Sequence, residues 1–114
     1  MPMELFRFFD QKMGHMVSIR DDGTVNRKSI ADRDFRCVAR KKAEVPMEQW
    51  VARKKEIYDA LPEWTKKVKR LPSMASLERW SEDGVCMTPT GHMVEPDGQG
   101  PDGVPSWLLL LHFI

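Results

Sequence analysis

Five side chains in this sequence are soft metal ligands: Cys37, Cys86, His15, His92 and His112. A structural zinc site takes four such ligands, usually in close pairs. The nearest two here, Cys86 and His92, stand six residues apart, a spacing that argues against a metal site. Both cysteines are expected instead to be buried as small apolar residues. Nucleophilic catalysis needs a nucleophile, an oriented base and an oxyanion site. A cysteine with a distant histidine is a pairing any such chain allows, and no Gly-x-Ser-x-Gly elbow occurs.

Glu95, Asp97 and Asp102 could do acid–base or metal chemistry as clustered carboxylates. Asp97–Gly98 and Asp102–Gly103 are also turn formers, in which Asp bonds to its own backbone, and the turn reading is the stronger. Gly98, Gly100 and Gly103 imitate a Gly-x-Gly-x-x-Gly loop. The run follows no strand and carries Pro101 with two acids, so it is no dinucleotide fingerprint. No catalytic residue, metal or cofactor is expected, and the protein is read as a non-enzyme.

Charge gives the better lead. Net charge is only +1, yet residues 27–79 hold fifteen Lys and Arg against eight acids, and residues 80–114 hold five acids and no Lys or Arg. Arg40–Lys42, Arg53–Lys55 and Lys66–Arg70 form three basic clusters, with Trp50, Tyr58 and Trp64 among them. Basic surface interleaved with aromatics suits single-stranded nucleic acid. Against that, Glu44, Glu48, Glu56, Asp59 and Glu63 lie among the bases at ion-pair spacing, and the isoelectric point of about 7.8 is low for a dedicated nucleic-acid binder. Arg53, Lys54, Lys66, Lys67, Lys69 and Arg70 are the expected partner contacts.

These clusters must be positioned by local structure. Met3–Phe9 reads as a strand, Met16–Ile19 and Val25–Ile30 as a hairpin about the Asp21–Thr24 turn, and Asp34–Val38 as a half-buried strand. The period then changes. Pro46 and Glu48 suit a helix start, Trp50, Val51, Ile57, Tyr58 and Leu61 share a face, and Pro62 ends it. Residues 63–71 are a basic connector, either a short helix or extended. Ser73 caps a second helix that Asp83–Gly84 terminates. Residues 85–94 suit a short ribbon, and Ser106 a final helical turn. The expectation is one α+β domain over residues 1–114. A small antiparallel sheet spans residues 3–40, helices lie near 46–61 and 73–82, and apolar Trp107–Ile114 closes the core.

At 114 residues and 41% apolar composition the chain can bury a core without staples. Two cysteines make no disulfide framework, so reduced thiols and a cytoplasmic location are expected. The longest apolar run, Trp107–Leu111, is far short of the roughly 20 residues that span a bilayer.

The C-terminal stretch Glu95-Pro96-Asp97-Gly98, with Pro101, Gly103, Pro105-Ser106-Trp107-Leu108-Leu109, Leu111 and Ile114, resembles the signature of small uncharacterised proteins carried by phages and mobile elements of proteobacteria. The similarity runs from about Asp83 to the end. Tails of that group also carry cysteines and histidines, where this chain has His92, Gly100, Asp102 and Val104. The resemblance therefore implies that any metal site there is lost and the turn scaffold kept. It also implies a genetic context in which small proteins bind and block host proteins, as anti-CRISPR and other anti-defence proteins do; this is an analogy of lifestyle. The function expected is modulation of a host protein or nucleoprotein complex in the host cytoplasm, the alternative being direct nucleic-acid binding through residues 40–70.

Overall fold

A computed structural model describes residues 2–114. Its framework is a four-stranded antiparallel sheet, order β1-β2-β3-β4, made of Glu4–Asp10, His15–Arg20, Thr24–Lys28 and Arg36–Arg40. Helices α1 (Met47–Asp59), α2 (Glu63–Lys67) and α3 (Met74–Asp83) follow, then a two-stranded ribbon of β5 (Cys86–Met87) and β6 (Met93–Val94), and a last turn α4 (Trp107–Leu110). This is an α+β fold.

The sheet is covered on both faces, which explains why β1 and β2 are so apolar. Side chains alternate across a strand, so Phe8 and Phe9 go to opposite sides. Phe8 joins Val17, Ile19 and Trp50, with Phe6, Val51, Tyr58 and Leu61 at the margin. Phe9 joins Met16, Val68, Leu77, Cys86, Trp107, Leu108 and Leu110. Register agrees: Phe8 opposes Val17, and Phe9 opposes Met16. Helix α1 therefore seals one face, and the chain from α2 onward seals part of the other.

Local signals set the helix ends. Ser73 accepts the Ser76 N–H at 3.1 Å, and Gly84, at φ 69°, donates back to the Trp80 carbonyl. A left-handed cap of this kind suits glycine, which lacks the Cβ that would clash. Ser106 caps α4 through the Leu109 N–H at 3.2 Å. Trp107 meets Phe9 edge-on, ring centroids 5.2 Å apart. The apolar tail divides: Trp107, Leu108 and Leu110 are buried, while Phe113 and Ile114 are exposed.

Three local expectations are corrected. Strand β4 begins at Arg36 and all five of its residues are exposed, because β3 pairs it on one side only and no helix covers it. Cys37 is consequently exposed, whereas Cys86 is fully buried. Ile57 remains 53% exposed, since the stripe of α1 that meets the sheet runs through Trp50, Val51, Tyr58 and Leu61.

Candidate anion-binding site

The face of the sheet that carries Phe9 and Met16 is apolar at one end and polar at the other. On β1, Arg7 takes the place on this face next after Phe9, and there the apolar cluster gives way to a cavity of about 340 Å³. It is lined by Arg7, Lys28, Arg33, Lys69 and Arg70, by the single acid Asp34, and by apolar Met16, Phe35 and Leu71. Five cations thus face one carboxylate.

Two loops present these charges by the same device, apolar anchors with cations between them. In the connector after α2, Val68 is buried and Leu71 packs against the core, so Lys69 and Arg70 turn outward. Pro72 then fixes the exit into the Ser73 cap. In the loop after β3, Ile30 and Phe35 pack against the same core and leave Arg33 and Asp34 between them. That loop is closed by Asp32, whose carboxylate accepts the Ser29 N–H at 2.9 Å and pairs with Arg36 at 3.2 Å. Those bonds, the Ser29 N–H first, hold the Asp32 carboxyl below its usual range.

Arg7 joins the two walls. Its Nη1 donates to the Lys69 carbonyl at 2.7 Å, its Nε pairs with Glu4 at 2.9 Å, and its guanidinium lies 5.0 Å from the Phe35 ring centroid. Glu4 is held in turn by the Ser18 hydroxyl. Arg7 is therefore engaged by its own protein. By contrast, Lys28, Arg33, Lys69 and Arg70 form no ion pair among the described residues. Like charges gathered about one cavity repel one another, and an anion placed among them relieves that repulsion.

The six contact residues expected from the sequence do not share one surface. Lys69 and Arg70 line the cavity. Lys67 is exposed beside them in sequence, on α2. Lys66 is only 12% exposed in its side chain; it pairs with Glu63 at 3.0 Å and lies 5.0 Å from the Tyr58 ring centroid. Arg53 is exposed on α1, and Lys54 lies over Trp50 at 5.7 Å. Helix α1 belongs to the opposite face of the sheet, so the basic run 53–55 is separated from the cavity. Of the third basic cluster, Lys41 is tied to the carbonyls of Lys42 and Val45. Sequence reasoning missed Arg7, Lys28, Arg33 and Phe35. One signal was available: Arg7 interrupts an aromatic run at a position whose alternation points it to the Phe9 side.

No protein-family model, curated protein or solved structure matches this chain.

Among the described residues no three His, Cys, Asp or Glu side chains gather as a metal cluster. Asp102 accepts the Thr90 hydroxyl at 2.6 Å and the Val104 N–H at 3.2 Å, with His92 Nε2 at 3.7 Å. It ties the ribbon to the Pro/Gly loop. The Cys86 thiol is buried in the core and donates to the Met87 carbonyl. Among the described residues no helix is long and apolar enough to cross a membrane.

Proposed function

We propose that the protein acts by binding: it sets its basic cavity against an anionic part of a host protein or nucleoprotein complex and so modulates it, as an anti-defence protein of phage or mobile-element origin acting in the host cytoplasm. The observation that carries this reading is the group of four cations, Lys28, Arg33, Lys69 and Arg70, around one cavity with no ion-pair partner among the described residues. Protein surfaces usually disperse or pair such charges, and an unpaired concentration of one sign steers and holds partners of the other. The lining offers charge and apolar surface, which suits recognition. The C-terminal resemblance supports the genetic context.

The test is recovery of a partner from host lysate with the wild-type chain, the double variant Lys69→Glu/Arg70→Glu, and Arg53→Glu/Lys55→Glu on α1. The proposal expects the partner to be lost with the cavity variant and kept with the α1 variant. Equal recovery with all three would remove the cavity from the account.

A further inference from the structure

We infer that the cavity receives one unpaired nucleotide of a single-stranded nucleic acid, with the base against Phe35 and Leu71 and the flanking phosphates on the two pairs of cations. This rests on the reading of the cavity as the binding surface and names what that surface recognises.

The lining has two kinds of chemistry. Phe35 and Leu71, both half-buried, supply apolar surface beside the buried Met16, and the cations come from two segments, Lys28 with Arg33 and Lys69 with Arg70. A ligand that uses both must carry a flat apolar body joined directly to anions on either side. A nucleotide within a strand has that constitution, with a base between two phosphodiesters. An acidic peptide sets its carboxylates on flexible stems beside a polar backbone and leaves the apolar lining unused. A duplex keeps its bases stacked inside and offers only phosphates to the cations. The cavity volume of about 340 Å³ lies at the lower end of small-ligand sites, the scale of one nucleotide rather than several. Asp34, the one acid in the lining, repels phosphate placed against it and is a fit acceptor for a base N–H.

Arg7 makes the site rigid before any ligand arrives, because it ties β1 to the Lys69 carbonyl and rests on Phe35. Phe35 and the Lys69 backbone are thus linked through one side chain, which lowers the ordering cost of binding.

The experiment is fluorescence anisotropy with the full chain and four probes. They are a labelled oligothymidylate of roughly ten nucleotides, an abasic deoxyribose-phosphate strand of equal length, a duplex of equal length, and poly-glutamate as competitor. The inference expects the oligothymidylate to bind about tenfold tighter than the abasic strand, from the stacking contribution of a base, and tighter than the duplex. Phe35→Leu, which keeps apolar volume and removes the ring, should narrow the ratio of base-bearing to abasic affinity; Arg7 rests on the same ring, so both affinities are read and the ratio decides. Lys69→Glu/Arg70→Glu should weaken both strands and flatten the salt dependence. Equal affinity for abasic and base-bearing strands overturns the inference and leaves the polyanion-binding reading standing. Poly-glutamate displacing the oligonucleotide at equal charge does the same, in favour of an acidic protein. Failure of every polyanion to bind overturns both.

Discussion

The basic runs Arg53–Lys55 and Lys66–Arg70 look alike as sequence and are used differently by the fold. On α1, Lys54 lies over Trp50 and Lys55 pairs with Asp59 at 2.7 Å, while Arg53 is exposed and forms no ion pair among the described residues. The second run is itself divided. Lys66 is folded onto Tyr58 and Glu63, whereas Lys69 and Arg70, held out by the Val68 and Leu71 anchors, line one cavity with Lys28 at the end of β3 and Arg33 in the loop after it. What distinguishes a paired lysine from an unpaired one in these two runs is the setting of its backbone. On a helix, acids one turn away are ready partners. On an extended connector between two buried residues, the side chains have none.

Substitutions in and beside the two runs test this contrast. The largest effect belongs to the cavity: Lys69→Glu/Arg70→Glu should weaken polyanion binding by about a hundredfold at physiological salt, read from anisotropy isotherms, with the urea midpoint little changed. Next comes Arg7→Ala, which unties the two walls. Affinity should fall about tenfold and stability by about 1 kcal/mol, since an exposed charge-assisted bond to the Lys69 carbonyl is lost; urea unfolding beside the isotherm separates the two effects. Lys66→Ala should cost about 1 kcal/mol of stability through its ring contact and ion pair and leave affinity within about threefold, whereas Arg53→Glu should alter neither. A large loss of affinity in either would erase the contrast between the runs.

The smallest effect is one of pH, far from the cavity. The Thr90 hydroxyl, then the Val104 N–H and the neighbouring His92, hold the Asp102 carboxyl below its usual range, against a partial opposing effect of burial. A carboxyl lowered by folding stabilises the native state at neutral pH. That contribution disappears as pH falls below the ordinary carboxylate range and through the lowered value. Thr90→Val should therefore flatten the acid side of a plot of urea midpoint against pH, with nucleic-acid affinity at neutral pH unmoved.

Much of the fold was legible because its signals are local. The alternation through Phe8–Phe9 and Met16–Val17, the Ser73 and Gly84 caps and the change of period at Pro46 each lie within a few residues. Strand β4 was misjudged because its alternation is real while its burial depends on a neighbour that the chain does not provide. The cavity was hardly legible at all. Arg7 and Lys69 are 62 residues apart in sequence and bonded in space, and charge clusters counted along the chain say nothing of such meetings. The apolar tail was readable as a segment that must find cover, which Trp107, Leu108 and Leu110 do, while Phe113 and Ile114 extend past the packed turn.

The most direct test of the account is a titration of ¹⁵N-labelled protein with oligothymidylate, followed by amide chemical shifts. The account predicts changes concentrated at Arg7, Met16, Lys28, the 33–35 loop and residues 69–71, with α1 silent. Changes centred on Arg53–Lys55, or spread evenly over all basic residues, would contradict it.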